Sequence, residues 1–264
     1  MEHNIQYNGH PVRYKDQGSG TPLVLLHGYL ESLNSWDNFA ASLASEYRII
    51  TPDLPGHGET GVPGTVSSMD YMAEVVKYVM ESAGITKAIV IGHSMGGYAT
   101  LAFADRYPEA LLGFGLFHSA PFPDTDEKKK NRDREIQLVR EGKKNLIFNT
   151  NIPKMFADDN LERLADKVET AKEIARGTPE EGIIAVLEGM KARPDRTQLV
   201  KNPEVPFLYL LGKKDKYIAF ENIEPFISEL TNARIEILEN SGHMGFVEEK
   251  ERSEEIIKAF MSGL

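Results

Sequence analysis

A serine between glycines is the residue of this chain best suited to act as a nucleophile. Ser94 lies in the segment Gly92-His93-Ser94-Met95-Gly96-Gly97, which has the spacing G-x-S-x-G. An apolar run (88–91) precedes it and a run of small residues follows it, so the pattern predicts a sharp strand-to-helix turn. Glycines suit this turn because a side chain would clash with the neighbouring strand or helix. The alternative interpretation is a glycine-rich turn with an incidental serine.

A serine hydroxyl is a weak nucleophile unless a base removes its proton. Among seven histidines, His243 stands out because its segment, Asn240–Gly245, follows the last predicted strand and precedes the last predicted helix. Loops at the carboxyl ends of parallel strands share one edge of a sheet, so His243 is expected to reach Ser94. Of the others, His93 is expected to point elsewhere, His27 and His57 to be structural, and His118 to line the pocket, while His3 and His10 lie near the N-terminus.

The imidazole in turn needs a carboxylate that fixes its tautomer. Asp215 follows a predicted strand (205–211), which places it at the same sheet edge and gives the chain order Ser94, Asp215, His243. Asp124 is the rival, because it lies in the loop after the predicted strand that ends near His118. The alternative interpretation of Asp215 is an ordinary turn aspartate among lysines.

Acyl transfer also needs donors for a developing oxyanion. The backbone N–H of Met95 follows the serine at a helix N-terminus, and the second donor is predicted to be the N–H of Tyr29. Gly28 would let that loop pass close to the site.

The elements that must position these residues follow an α/β pattern. Continuous apolar runs predict strands covered on both faces: 23–26, 47–51, 88–91 and 112–117. Two further strands are predicted at 205–211 and 234–238. Helical patterns alternate with them: 36–44, 69–83, 98–107, 220–230 and 248–261. A short hairpin around Asn8-Gly9 precedes them. We therefore expect a doubly wound, mostly parallel sheet.

The pattern breaks between residues 121 and 200, where several short helices and no strand are predicted. We therefore divide the chain into a core formed by 1–120 and 201–264 and a helical insertion at 121–200. The basic run Lys128-Lys129-Lys130 within the insertion is interpreted as a solvated helix face, because acidic residues are interleaved with it.

Composition limits the function classes. The chain has 30 Lys+Arg against 40 Asp+Glu, a net charge of −10, which argues against nucleic-acid or anionic membrane partners. Cysteine is absent, which excludes thiol nucleophiles, disulfides and thiolate metal sites. No signal sequence and no apolar run long enough to span a bilayer are visible, so we expect a soluble, cytoplasmic protein.

Five segments together closely resemble the α/β-hydrolase superfamily: Leu26–Tyr29, Asp53–Gly58, Gly92–Gly97, Gly212–Asp215 and Gly242-His243. The resemblance implies an eight-stranded, mostly parallel sheet with the insertion as a helical cap over the site. It implies Ser94, Asp215 and His243 as a catalytic triad and the amides of Tyr29 and Met95 as the oxyanion hole. Haloalkane dehalogenases and epoxide hydrolases carry aspartate at the elbow, so Ser94 separates this chain from them.

We therefore expect a hydrolase that cleaves small carboxylic esters through an acyl-enzyme, with no cofactor and no metal. Enol-lactonase, carbon–carbon bond hydrolase and perhydrolase activities would use the same residues, and a small-molecule-gated signalling receptor that retains the triad is an alternative from another class. The expected pocket is apolar, and its lining residues are predicted to be Leu30, His118, Phe148, Met155 and Met244. The sequence does not predict the oligomeric state.

Overall fold

Eight strands form one sheet in the computed structural model, which describes residues 1–264. The strands are β1 (Glu2–Tyr7), β2 (His10–Gln17), β3 (Pro22–Leu26), β4 (Arg48–Pro52), β5 (Ala88–His93), β6 (Leu111–Phe117), β7 (Phe207–Gly212) and β8 (Ala233–Leu238). Their order across the sheet is β1-β2-β4-β3-β5-β6-β7-β8. The first hairpin and the β2–β4 pair are antiparallel and all other pairs are parallel, so the predicted α/β-hydrolase fold class is confirmed.

The helices cover the sheet and connect its strands. They are α1 (Asp37–Leu43), α2 (Met69–Ser82), α3 (Met95–Arg106), α4 (Asp126–Arg140), α5 (Lys144–Met155), α6 (Ala165–Arg176), α7 (Glu180–Ala192), α8 (Thr197–Lys201), α9 (Phe220–Ile227), α10 (Gly245–Glu248) and α11 (Lys250–Met261). None of them combines the length and the apolar composition that crossing a bilayer requires.

Most predicted elements lie within a few residues of the observed ones. The bounds of two helices differ from the prediction for a structural reason. Helix α3 begins at Met95, three residues before the prediction, because the chain turns directly from Ser94 into the helix. The predicted last helix (248–261) corresponds to α11, which begins two residues later because the backbone leaves the helical region at Glu249, with φ −129° and ψ 56°; the short helix α10 lies in the segment predicted as a loop.

Helices α4 to α8 lie between β6 and β7, and no strand interrupts them. This agrees with the helices expected at 121–200, while the division into a core and a separate cap stays a prediction.

Register places the ends of the central strands side by side. Leu26 at the end of β3 pairs with Gly92, and His93 pairs with Phe117. Gly212 at the end of β7 pairs with Leu238. The strand order reverses between β3 and β5, and such a switch point is where open α/β sheets bind ligands, at the carboxyl ends of the strands.

Candidate active site

Ser94 occupies a strained turn between β5 and α3. Its backbone has φ 50° and ψ −112°, a conformation that non-glycine residues rarely adopt. The turn is held by hydrogen bonds from Ser94 N–H to the Phe117 carbonyl at 2.9 Å and from the Ser119 hydroxyl to the Ser94 carbonyl at 2.7 Å. The surrounding bonds thus fix a half-buried serine at the end of a fully buried strand.

The glycines around Ser94 are required by close backbone contacts. A Cβ at Gly92 would lie 2.1 Å from the Gly96 carbonyl oxygen, and a Cβ at Gly96 would lie 2.4 Å from the Leu26 carbonyl oxygen. Real Cβ atoms essentially never approach so closely, and neither backbone neighbour can rotate away. The structure therefore agrees with the steric reason for the glycines inferred from the sequence.

His243 and Asp215 meet at the neighbouring strand ends. His243 Nδ1 lies 2.7 Å from Asp215 Oδ2, and both side chains are buried. The other carboxylate oxygen, Oδ1, accepts the backbone N–H groups of Tyr217 at 2.7 Å and Ile218 at 2.9 Å. These bonds hold the carboxylate in place, and the carboxylate in turn holds the orientation of the imidazole.

The charge state of Asp215 follows from these contacts. Burial by itself would raise the pKa of Asp215, but the interactions with His243 and His118 outweigh it and hold the pKa well below its usual range. The aspartate is therefore ionised at neutral pH and can stabilise a positive charge on His243.

His118 was expected to line the substrate pocket, and this prediction is wrong. Its side chain is fully buried, with Nδ1 3.3 Å from Asp215 Oδ2. Glycines make room for the ring, because a Cβ at Gly212 or Gly245 would lie 2.6 or 2.3 Å from it. Burial lowers the pKa of His118 to about 4, against the opposing effect of Asp215, so the ring is neutral at pH 7.

The ligand atoms of His118, Asp215 and His243 lie within 4.8 Å of one another, which raises the question of a metal site. A metal bridging two ligands at about 2.0–2.2 Å from each, with tetrahedral angles, would separate them by more than 3 Å. The 2.7 Å distance from His243 to Asp215 is instead a direct hydrogen bond.

Asp124, the rival acid, has a different set of partners. Its carboxylate pairs with Arg132 of α4 and lies 2.6 Å from Arg193, just after α7. These two arginines lower its pKa, although burial opposes them. Asp124 therefore joins two helices of the 121–200 segment and is not a partner of His243.

The loop after β3 leaves one backbone donor free. Gly28 N–H donates to Glu31 at 2.7 Å and Leu30 N–H donates to His57 Nε2 at 3.2 Å. Tyr29 N–H, between them, makes no hydrogen bond within the protein. Met95 is the first residue of α3, where a helix leaves its N–H groups unpaired. Both predicted oxyanion-hole amides are thus without internal acceptors.

His27 and His57 have the structural contacts expected of them. His27 Nε2 accepts the N–H of Leu54 at 2.9 Å, as His57 Nε2 accepts that of Leu30. Burial lowers the pKa of both rings, so both are neutral acceptors that fix the turns beside the site.

A cavity of about 520 Å³ lies over the serine, and both Ser94 and His243 line it. Leu30 and Met155 line it as predicted. Phe148 and Met244 do not, and these two predictions are wrong. Phe148 is buried in the hydrophobic core, while Met244 lines a separate cavity of about 120 Å³.

The cavity wall is also more polar than the predicted apolar pocket. Glu135 of α4 accepts a hydrogen bond from Asn151 at 2.8 Å and one from the Tyr29 hydroxyl at 3.3 Å. Burial raises the pKa of Glu135 above its usual range, although Asn151 and Arg132 oppose the shift. No sequence signal marks Glu135, because it is one of many charged residues in α4.

Cations dominate the ionisable groups of the wall: Lys128, Arg132, Lys154 and Lys216. Glu135 is the one carboxylate among the lining residues. Lys216 pairs with Asp158 at 2.5 Å, but Lys128 and Lys154 form no ion pair. Lys128 is exposed as predicted, yet it faces the cavity rather than solvent alone. The cavity is locally positive although the chain carries a net charge of −10.

Comparison with known proteins finds relatives that cover almost the whole chain. A 2-hydroxy-6-oxononadienedioate/2-hydroxy-6-oxononatrienedioate hydrolase of Paraburkholderia phymatum is 28% identical over 279 residues, covering 95% of this chain and 90% of that protein. The structure of a thermophilic esterase from Thermogutta terrifontis, with malate bound, superposes with a TM-score of 0.93 at 29% identity, covering 100% of this chain and 98% of that one.

A third structure shares the fold. The enol-lactonase from Burkholderia xenovorans superposes with a TM-score of 0.89 at 21% identity, covering 98% of this chain and 99% of that one. The family model described as alpha/beta hydrolase fold matches residues 21–250. Because this match spans most of the sheet and every proposed site residue, the chain belongs to the alpha/beta hydrolase fold family.

Proposed function

We propose that this protein is a serine hydrolase that cleaves small carboxylic esters through an acyl-enzyme. The observation that carries the proposal is that Ser94 and His243 line one cavity, while Asp215 contacts Nδ1 of His243. A hydroxyl, an imidazole and an ionised carboxylate in this order activate serine for attack on a carbonyl carbon.

In the first step, Ser94 Oγ forms a bond to the carbonyl carbon as its proton passes to Nε2 of His243. The resulting oxyanion accepts hydrogen bonds from the backbone N–H groups of Tyr29 and Met95, which need no rearrangement because neither has an internal acceptor. The bond to the alcohol oxygen then breaks, and His243 gives its proton to the leaving alcohol.

In the second step, water attacks the acyl-enzyme and gives its proton to His243. The bond from Ser94 Oγ to the acyl carbon breaks, the serine regains its proton from His243, and the carboxylic acid leaves. Asp215, ionised throughout, stabilises the imidazolium in both steps.

The charge of the cavity favours esters that carry a carboxylate away from the reacting carbonyl. Lys128 and Lys154 have no acidic partner, so they are free to pair with a substrate anion. An exposed ion pair contributes about 0.2–1 kcal/mol, which corresponds to a factor of up to about five in affinity for each lysine. We therefore propose the monoester of a small dicarboxylic acid as the preferred substrate class.

The same lysines favour a second candidate, hydrolysis of a carbon–carbon bond in an oxo acid. The relative from Paraburkholderia phymatum is named for a dioate, which carries two carboxylates. This reaction would use the same serine, base and acid on a different substrate.

A panel of substrates tests these proposals together. It contains p-nitrophenyl butyrate, the p-nitrophenyl monoester of succinic acid, a lactone, and a vinylogous 1,5-diketone with and without a carboxylate. We expect sustained turnover of both esters, a severalfold higher kcat/KM for the succinate monoester, and an acylated Ser94 peptide detected by mass spectrometry. Turnover of the diketones alone would favour the second candidate, and no turnover with no acylation would refute the hydrolase proposal.

Lysine variants test the charge preference separately. In Lys128→Gln and Lys154→Gln, we expect KM for the succinate monoester to rise up to about fivefold and KM for the butyrate to stay unchanged. Lys87→Gln is the matched control, because Lys87 is exposed at the opposite end of β5. Equal effects on both esters would show that the lysines do not recognise the substrate carboxylate.

A further inference from the structure

A buried ion pair lies beside the serine turn, and the mechanism above does not use it. Glu31 and His93 are 3% and 0% exposed, and His93 Nδ1 lies 2.9 Å from Glu31 Oε1. Burying an acid and a base so completely is unfavourable unless each stabilises the other. His93 immediately precedes Ser94 and ends β5.

The other nitrogen of His93 contacts the loop of the proposed base. Nε2 lies 2.7 Å from the backbone carbonyl oxygen of His243. Because a carbonyl oxygen only accepts, Nε2 carries the hydrogen and donates it. His93 is thereby joined to a residue 150 positions away in the chain.

The other oxygen of Glu31 contacts the oxyanion loop. Oε2 accepts the backbone N–H of Gly28 at 2.7 Å, one residue before Tyr29. A Cβ at Gly28 would lie 2.8 Å from His93 Nδ1 and 3.0 Å from Glu31 Oε1. The ion pair therefore fills the space beside Gly28, which gives a second reason for glycine at this position.

Aromatic rings surround the His93 imidazole. The nearest are His243, Phe246, His118, Phe117 and Trp36, with ring centroids 4.9 to 6.4 Å away. Burial would lower the pKa of His93, but the Glu31 carboxylate outweighs it, so the pKa is raised. Burial would likewise raise the pKa of Glu31, and the charge of His93 outweighs it, so that pKa is lowered. Both shifts favour the charged forms of the pair, and His93 Nε2 donates to the carbonyl of His243.

We propose that Glu31 and His93 are positioning residues that lock three parts of the site together: the serine turn, the oxyanion loop and the loop of His243. The proposal deepens the proposed function and rests on its roles for Ser94, Tyr29 and His243. Neither residue touches the substrate. They act by fixing the Tyr29 amide and the His243 ring relative to Ser94, where a misplacement of 1 Å can reduce the rate about 100-fold.

Two conservative variants separate the contacts from the charge. In Glu31→Gln, the amide oxygen can still accept from Gly28, and the amide N–H can donate to Nδ1 of a neutral His93. In Glu31→Asp, the charge stays but the oxygens retreat by about 1.5 Å, so they cannot reach both partners. We expect kcat for Glu31→Gln within about threefold of wild type. We expect kcat for Glu31→Asp to fall 10- to 100-fold with KM nearly unchanged.

Leu43→Ala controls for lost stability, because Leu43 is fully buried in α1 and contacts none of these loops through hydrogen bonds. At matched stability, set by temperature or denaturant, Leu43→Ala should keep kcat. A loss in Leu43→Ala as large as that in Glu31→Asp would reduce the pair to a structural role. A kcat for Glu31→Asp within threefold of wild type would lead to the same conclusion. A kcat for Glu31→Gln as low as that for Glu31→Asp would also contradict the proposal.

Amide hydrogen exchange gives a readout that does not depend on turnover. Glu31→Asp should accelerate exchange in both 27–31 and 242–244, while Leu43→Ala and Glu31→Gln should leave the two segments protected. Faster exchange in 27–31 alone would overturn the proposed link between the loops. If the loops respond as expected and no ester is hydrolysed by the wild type, the proposed function fails while the link stands.

Discussion

Asp215 Oδ2 and His243 Nδ1 lie 2.7 Å apart, although 28 residues separate the two in the chain. They meet because β7 and β8 are parallel neighbours, with Gly212 opposite Leu238, so the loops that follow these strands leave the same sheet edge. This contact distinguishes Asp215 from Asp124, whose carboxylate faces two arginines.

Replacing each aspartate by asparagine should therefore have different consequences. We expect Asp215→Asn to lower kcat about 10³- to 10⁴-fold, because an amide can favour the wrong tautomer of His243 and cannot stabilise its positive charge. Asp124→Asn should retain kcat within about tenfold but lower stability, because Arg132 and Arg193 would lose a buried ionic partner. Steady-state kinetics and urea unfolding measure the two effects, and the reverse ranking in kcat would move the acid to Asp124.

Substitutions of Ser94 should separate chemistry from backbone strain. Ser94→Ala and Ser94→Gly should both lack turnover and labelling by a fluorophosphonate, because neither has the hydroxyl. The glycine variant should be more stable than the alanine variant by about 1 kcal/mol, because the φ of 50° is strained for any residue with a Cβ. Thermal unfolding of the two variants checks this, and equal stabilities would argue against strain at the turn.

The buried His118 should make the protein sensitive to acid. Burial lowers the folded-state pKa of His118 to about 4, below the value of about 6.5 expected for an unfolded chain. The unfolded state therefore binds a proton first, so stability that is present above pH 6.5 is lost as the pH falls towards 4. The shift corresponds to a decrease in the free energy of unfolding on the order of 3 kcal/mol.

His118→Asn tests this contribution, because asparagine tolerates the φ of 50° at this position. We expect the free energy of unfolding of the variant, measured in urea at pH 7 and pH 4.5, to fall less between the two pH values than that of the wild type. An equal decrease in the free energy of unfolding for the variant and the wild type would show that protonation of His118 does not contribute to the acid sensitivity.

Gly242→Ala should damage activity more than stability. A Cβ at Gly242 would lie 2.6 Å from the Ala157 backbone nitrogen and 2.9 Å from the Met155 carbonyl oxygen. Relief of this clash must move the His243 loop away from α5, so we expect kcat to fall at least about 100-fold.

Gly84→Ala is the matched control for Gly242→Ala. Gly84 has φ +69°, and a Cβ there would have no atom within 4 Å, so alanine strains the backbone without touching the site. It should lose stability and keep kcat. Comparable losses of kcat in both variants would show that the effect of Gly242→Ala is not local to the His243 loop.

Much of this protein was determined by its sequence alone. The buried strands are continuous apolar runs, and the turn at Ser94 is specified by glycines that close backbone contacts require. Strand-end loops in a parallel sheet share one edge, so the positions of Asp215 and His243 after two strands predicted that their side chains would meet. These features depend on local pattern and strand direction, which a sequence displays.

Only the tertiary structure decided what surrounds those residues. His118 and Phe148 were expected in the pocket but are buried elsewhere, because periodicity does not say which neighbour a buried side chain faces. The positive cavity wall and the Glu31–His93 pair join residues far apart in the chain, and no spacing pattern marks such contacts in advance. Local steric and hydrophobic rules act within a few residues, whereas charge pairing and cavity shape arise only when distant segments pack together.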